Sequence, residues 1–452
     1  MKEIQKIKIP EYISYNIYKT SRETRIYISD EFRHIYYLLT DISALFFEQI
    51  IKKESIDILI QFAKKNNIKE SELSSFINEL SSIGIIEIKN NKYIEKKELK
   101  KTNKYPVEDN PFIAEMQKWI FKENFMYGLF IEMTYRCNLN CVHCYNDKKE
   151  NHKEITFDRI KQVIDDSVEL GVFNIILSGG ECTITKDFLK IAKYIRKKRV
   201  PLQILTNGQE LYDNAKLFNE LIKIYPTCIS ISLYSMNPEI HDKITGVKGS
   251  HYKTVEVIKK LKENNIEVLI KCFVTSINAN EYKSVAFYAE KLNIGFLLDS
   301  DFVNNPSRNN SHTQCTDEEL RKLYNDKIGQ KLSDKGIFEV KKGNNHKICR
   351  AGESSLCIAP DNNVYPCPTL KIELGNTNKT SIKEIWRKLK NNSFADIEKL
   401  TKNNLKECFK EEYCKFCKYC PGVADSNMKF LKKYEPFCNT AKIRMEANEF
   451  VI

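Results

Sequence analysis

Cys137-Asn-Leu-Asn-Cys141-Val-His-Cys144 decides how the rest of the chain is read, because it gathers three thiols directly behind an apolar run. Each iron of a [4Fe–4S] cluster takes one thiolate, so a C-x3-C-x2-C loop can hold three irons and leave the fourth open to a small molecule. A structural zinc ion is the competing reading. It would want a fourth Cys or His close by, and His143 is the candidate, although adjacent residues rarely face the same metal.

The flanking sequence places this loop. Gly128-Leu-Phe-Ile-Glu-Met-Thr134 reads as a buried strand, so the cysteines fall on the loop leaving its C-terminal end, where barrel and open α/β enzymes keep their sites. Further on, Asn174-Ile-Ile-Leu-Ser178-Gly179-Gly180-Glu181 repeats the form, an apolar strand ending in a glycine-rich turn. With both motifs in this order, the sequence resembles the radical S-adenosylmethionine (SAM) enzymes. In that family the three-cysteine loop holds the cluster and a GGE turn meets the SAM amino group.

Residues 126–310 alternate strand and helix signals, the pattern of repeated βα units on a parallel sheet. Thr156 caps a helix whose Ile160, Val163, Ile164 and Val168 share a face before Gly171 ends it. Strands are expected at Leu129–Met133, Asn174–Leu177, Leu202–Leu205, Cys228–Leu233, Ile266–Val274 and Ile294–Leu298. Right-handed crossovers roll such units into a partial (βα)6 barrel, which the family resemblance also implies, and the fold class is α/β.

The strand ends supply candidate SAM contacts. Ser178, Gly179, Gly180 and Glu181 form one turn, where glycines admit backbone close to a ligand and a carboxylate can pair with an ammonium group. Thr206 and Asn207 end the next strand, and Ser230 and Ser232 alternate on the one after; the resemblance carries Ser232 over to the SAM ribose. Cys272, Thr275 and Asn278 follow on the fifth strand and its loop, where a satisfied turn is the plainer reading. Cys182, beside the GGE turn, and Cys228 and Cys272 read as small buried fillers, and Cys315 as unliganded.

Eight more cysteines crowd residues 349–452: Cys349, Cys357, Cys367, Cys408, Cys414, Cys417, Cys420 and Cys438. Eight thiolates suffice to coordinate two [4Fe–4S] clusters fully. The run resembles the SPASM extension of radical SAM enzymes, with Asn362 where that family commonly has a glycine. The spacing over 408–420 departs from the commonest arrangement, which leaves the pairing of ligands to clusters open. The favoured assignment is Cys349, Cys357, Cys367 and Cys420 for one cluster and Cys408, Cys414, Cys417 and Cys438 for the other. Zinc on some of them is the alternative, since C-x2-C pairs suit it equally.

At the other end, residues 1–100 show strands at Tyr12–Tyr18, Thr24–Ile28 and Phe32–Leu39, then three helices beginning after Thr40-Asp41. Leu73, Phe76, Ile77 and Leu80 form one apolar stripe, and Ile85–Ile88 a last short strand. This small α+β, winged-helix-like module resembles the RiPP recognition element, which captures the leader of a ribosomally made peptide as an added strand. A generic module for dimerisation or DNA is the rival reading. Residues 101–125 form a linker and bridging helix, within a charged linker stretch over 92–109 and a helix over 111–125, and residues 311–348 a connecting segment.

Composition bounds the rest. At 452 residues the chain requires several domains, and a net charge of +12 spread among 60 acidic residues reads as a lysine-rich solvated surface, with no nucleic acid as partner. No apolar stretch is long enough to span a bilayer and Met1-Lys-Glu-Ile-Gln-Lys-Ile-Lys lacks a signal-peptide core, so a cytoplasmic protein with no membrane partner is expected. A reducing compartment turns fifteen cysteines toward metal binding.

The resemblance implies SAM, one SAM-binding and two auxiliary [4Fe–4S] clusters, an external reductant such as flavodoxin or ferredoxin, and a precursor peptide whose leader the N-terminal module binds. The implied activity is that of a radical SAM oxidoreductase and peptide maturase: a 5′-deoxyadenosyl radical abstracts hydrogen from the peptide, and a cysteine-to-carbon thioether forms. Carbon–carbon crosslinking or another peptide oxidation is the rival within that chemistry, and an iron–sulfur electron carrier the rival outside it. No acid or base is assignable from the sequence.

Overall fold

Parallel strands must be covered on both faces, and the runs that read as strands carry the β-branched and leucine residues to do so. The computed structural model describes residues 7–53, 56–88, 111–146, 154–303, 309–329, 347–405, 407–408, 410–424 and 431–449. The linker expected over 92–109 lies outside them.

In chain order the strands are β1 (Ile7–Lys8), β2 (Ile13–Lys19), β3 (Thr24–Asp30), β4 (Ile35–Thr40), β5 (Glu87–Ile88), β6 (Gly128–Glu132), β7 (Asn174–Ser178), β8 (Leu202–Thr206), β9 (Cys228–Ser232), β10 (Val268–Phe273), β11 (Gly295–Asp299), β12 (Ser355–Ile358), β13 (Asn363–Tyr365) and β14 (Gly375–Asn376). Strands β6 to β11 are the six expected barrel strands, paired in parallel in the sequential order β11-β10-β9-β8-β7-β6. Leu129, Ile131, Ile175, Leu177, Ile204, Ile229, Ile231, Val268 and Ile270 are fully buried. Each such side chain contributes ~1.5–3 kcal/mol by leaving water. The alternate residues Ser230 and Ser232 of β9 pair in register with Leu269 and Lys271 of β10, so one face of the sheet carries polar groups toward the strand ends.

The sheet does not stop at six strands. β12 adds in parallel to β6, with Cys357 opposite Phe130, and β13 and β14 continue antiparallel. The cysteine-rich region is therefore stitched onto the barrel edge as part of one nine-stranded sheet. Segments of two to four residues show no periodicity, which is why these strands were not legible in the sequence. The turn between β12 and β13 does use Asn362 in the left-handed region, φ 71°.

The N-terminal module has its own sheet, β2-β3-β4, and helices Asp41–Lys53, Ile56–Lys65 and Glu70–Ser82. Its separate core holds Ile13, Ile26, Ile28, Phe46, Phe47, Leu59, Leu73, Ile77 and Leu80, and β5 returns to pair with β1. The module seats on the N-terminal ends of the barrel strands. Tyr15 N–H donates to the Arg199 carbonyl (3.0 Å) and Asn16 Nδ2 to that of Val172 (2.8 Å), just ahead of β8 and β7. Tyr18, Trp119 and Phe125 pack edge-on and stacked beside them, bringing in the bridging helix Pro111–Lys122.

Arg196 is the buried polar anchor of this seat. Its guanidinium donates to Ser14 Oγ and to the carbonyls of Glu11 (3.0 Å), Val200 (3.1 Å) and Ile224 (2.9 Å). Ser14 in turn donates to Glu31 (2.6 Å), a carboxylate 2 % exposed whose pKa burial raises while Arg196 opposes the shift. Arg196→Ala leaves that carboxylate buried without a counter-charge, a change that costs roughly 3–5 kcal/mol. The expected outcome is a lower urea midpoint and early proteolytic release of the N-terminal module; the double variant Arg196→Met/Glu31→Gln should recover most of the loss.

Candidate active site and metal centres

The three-cysteine loop leaves β6 and immediately meets the turn after β7. Met133 N–H donates to the Ser178 carbonyl (2.9 Å), Gly180 N–H to Thr134 (2.6 Å) and Glu181 N–H to Arg136 (2.9 Å). This approach is so close that a Cβ on Gly179 would collide with the Thr134 carbonyl oxygen, and one on Gly180 with that of Arg136. Gly179 also holds a φ of 131° that side chains rarely adopt. On its other side the loop is gripped by the end of helix Pro238–Thr245, through Asn140 N–H to Thr245 and Val142 N–H to Ile244, both 2.9 Å.

Glu181, expected among the SAM contacts, is held by the fold itself. Its carboxylate does not line the cavity; it is 1 % exposed and accepts from Thr183 N–H (3.0 Å), Thr183 Oγ1 (2.5 Å), Thr206 Oγ1 (2.8 Å) and Asn207 N–H (2.7 Å). Burial raises its pKa and these donors oppose the shift. With four donors gathered inside the fold, this carboxylate ties the turn to the end of β8. Asn207 completes the tie, donating to Asn138 Oδ1 (2.7 Å) and lying 3.7 Å from Cys137 Sγ.

A cavity of about 210 Å³ opens over this floor. Cys137, Cys141 and Cys144 line it, together with Ser178, Gly179, Gly180, Thr206, Asn207 and Ser232. Sequence reasoning missed Tyr135, Tyr145, Asn146 and Lys271, which also line it; the register of Lys271 with Ser232 is the signal that places it on this face. His143 does not extend the thiol set. Its ring stacks on Phe273 (5.1 Å) and meets Tyr234 edge-on (4.8 Å), and burial lowers its pKa to about 4, so it is neutral. Thr275 and Asn278 are fully buried and bonded to each other, and Cys182, Cys228 and Cys272 are buried fillers.

The eight C-terminal cysteines separate into two groups. Cys408, Cys414, Cys417 and Cys438 line one cavity of about 70 Å³. Cys349, Cys367 and Cys420 lie within electrostatic reach of one another, and Cys357 within reach of Cys367. All fifteen cysteines are unbridged. Burial pushes the thiols of Cys137, Cys349 and Cys408 up to about 11, yet backbone amides are aimed at the sulfurs: Leu139 at Cys137 (3.4 Å), Ala351 at Cys349 (3.3 Å) and Leu370 at Cys367 (3.2 Å). N–H donors favour the charged thiolate that a metal needs. Among the described residues no three Cys, His, Asp or Glu side chains converge on one point as a single ion requires. Thiols set around a volume, several of them with amide donors, fit a cluster of several irons.

Comparison with known proteins agrees with this donor set. The Radical SAM superfamily matches residues 131–282, and the SPASM iron–sulfur cluster-binding domain matches residues 349–421. The chain is 29% identical over 313 residues to the antilisterial bacteriocin subtilosin biosynthesis protein AlbA of Bacillus subtilis, covering 64% of this chain and 65% of that protein. It is 27% identical over 253 residues to the mycofactocin maturase MftC of Mycolicibacterium smegmatis, covering 52% and 63%. The chain thus spans just under two thirds of the length of both relatives. Among solved structures, Streptococcus suis SuiB bound to precursor peptide SuiA shares the fold, with a TM-score of 0.55 at 16% identity over 96% of this chain and 99% of that one. The chain carries a Radical SAM domain and, after it, a SPASM iron–sulfur cluster-binding domain.

Proposed function

We propose that this chain is a radical SAM peptide maturase that forms cysteine-to-carbon thioether bridges in a ribosomally made precursor. The observation that carries the reading is the three-thiol loop held against the GGE turn at the mouth of a barrel, in a chain that also bears two thiol quartets and a small module with an open sheet edge. A [4Fe–4S] cluster and SAM, when bound, supply a 5′-deoxyadenosyl radical able to take hydrogen from an unactivated carbon.

Every other part of the reading concerns the chain's own residues. Cys137, Cys141 and Cys144 would hold the cluster of the barrel. The backbone of Ser178, Gly179 and Gly180, with Thr206, Asn207 and Ser232, would receive SAM along the cavity floor, and Ser232 would meet its ribose. Tyr234, Phe273 and the neutral ring of His143 form an apolar wall that excludes water beside the loop. Bridge formation takes a hydrogen atom from carbon, and closing the C–S bond then releases the thiol proton and one electron. Cys349, Cys357, Cys367 and Cys420, and Cys408, Cys414, Cys417 and Cys438, are the two quartets where an electron sink would be held. An external reductant such as flavodoxin or ferredoxin would recharge the system.

The N-terminal module supports the choice of a peptide as substrate. Among the described residues β4 ends its sheet with no strand paired on its outer side. Leu38 on that strand and Ile42 and Leu45 on the following helix are 38, 53 and 41 % exposed, an apolar margin beside the open edge. An added strand takes its affinity from main-chain bonds and its specificity from such a margin. Similarity to a bacteriocin biosynthesis protein and to a maturase points the same way. Among the described residues no helix is long and apolar enough to cross a membrane.

Two measurements test the reading. The anaerobically reconstituted protein should contain about 12 irons, falling to about 8 in Cys137→Ala as the cluster of the barrel is lost. That variant should form no 5′-deoxyadenosine from SAM under a strong reductant; undiminished formation, or zinc as the main metal, would refute the assignment. Independently, Leu38→Asp should weaken binding of a labelled leader peptide by about tenfold or more, about 1.4 kcal/mol, while leaving uncoupled SAM cleavage unchanged. Equal leader affinity in the variant would remove β4 as the docking edge.

A further inference from the structure

Glu132 ends β6 with a carboxylate only 1 % exposed, and two of its partners come from distant parts of the chain. Tyr135 Oη, on the three-cysteine loop, donates to Oε2 at 2.8 Å. Lys371 Nζ, which follows the hairpin of β12 and β13, reaches the same oxygen at 3.2 Å. The lysine is steered there by two rings, lying 4.9 Å from the centroid of Tyr365 and 6.0 Å from that of Tyr135. A buried carboxylate with one ion-pair partner is costly to maintain for stability alone.

What lies beside the pair is Cys357. β12 runs parallel to β6 with Cys357 opposite Phe130 and Ile358 opposite Ile131, and the thiol is fully buried. Glu132 lies two residues beyond Phe130 on the same face of β6, so its carboxylate, and the Lys371 ammonium paired with it, stand beside the thiol. The ammonium is unequal to the carboxylate in one respect: the Lys371 side chain is 44 % exposed and that of Glu132 1 %. Water screens the exposed member and leaves the buried one close to full strength.

We propose that the Glu132–Lys371 pair sets the reduction potential of the iron–sulfur cluster held by Cys357 and its quartet. The inference rests on the reading of Cys349, Cys357, Cys367 and Cys420 as a cluster site. Reduction adds one negative charge to a cluster. Glu132 opposes that addition from a dry position, and Lys371 offsets part of the opposition. The ion pair therefore holds this site at a lower potential than its thiolates alone would, and it joins the barrel strand that carries the three-cysteine loop to the strand that carries Cys357. Glu132 and Lys371 act through the cluster ligand and are positioning residues.

The test is a redox titration of the reconstituted holoenzyme followed by electron paramagnetic resonance, with variants compared at equal iron content. The signal lost in Cys357→Ser identifies the cluster to be followed; if every cluster signal survives that substitution, the quartet reading falls and this inference with it. At a fixed potential near the midpoint, Glu132→Gln should raise the reduced-to-oxidised ratio by about tenfold, about 59 mV for one electron. Lys371→Gln should lower the ratio by a smaller factor, about threefold, because its charge is screened, and Lys371→Arg should restore the wild-type value. The signals of the other clusters should not move. A merely structural clamp would change the melting temperature and leave the potential alone. Ratios within twofold of wild type in both charge-removing variants, or shifts of the same sign, would overturn the proposal.

Discussion

The structure depends on how closely two stretches of main chain approach at the barrel mouth. The three-cysteine loop lies on the turn after β7, and the contact exists because Gly179 and Gly180 have no side chains to keep it away. A hydrogen-bonded zipper from Met133 to Glu181 then fixes the loop's height above the sheet. Glu181 fastens the same turn sideways to Thr206 and Asn207, and Asn207 reaches back to Asn138 inside the loop. The three thiols thus inherit their positions from buried backbone and a buried carboxylate. An exposed cysteine-rich loop has little other means of rigidity.

That arrangement changes the meaning of the GGE motif in this chain. Read as sequence, the glycines make room for a ligand and the glutamate greets its ammonium group. In the folded chain the glycines also make room for the loop, and the glutamate also serves as a strut. A ligand meets the backbone of Gly179 and Gly180 and the polar floor of Ser178, Thr206, Asn207 and Ser232, with Lys271 and the tyrosines around it. Preorganised surroundings of this kind spend little energy on rearrangement when a cofactor arrives.

Much of this was legible in the sequence. Six apolar runs with β-branched residues, each followed by a helical period, could fold only as parallel strands covered on both faces, and the strand ends follow within one or two residues. Thr156 caps its helix through the Arg159 amide, as its position ahead of the apolar stripe implied. Three features were hidden. β12, β13 and β14 are too short to show a period, so the union of the cysteine-rich region with the barrel edge could not be read. Lys371 meets Glu132 across 239 residues of sequence, a pairing that no local pattern encodes. The burial of Glu181 depends on donors from β8, which a motif reading treats as a separate site.

The N-terminal module is seated beneath the barrel, on strand ends opposite the cavity, and is held there by Arg196, Arg199 and a cluster of aromatic rings. A peptide tethered at β4 would be kept at a high local concentration without being steered into any one pose at the mouth. In such a scheme the tether's contour length decides which side chains arrive, since a spacer too short to pass around the barrel delivers none and a longer one dilutes them again. Selection of the modified position would then be shared between the ruler below and the shape of the cavity above, and a change in either would leave the other's contribution intact.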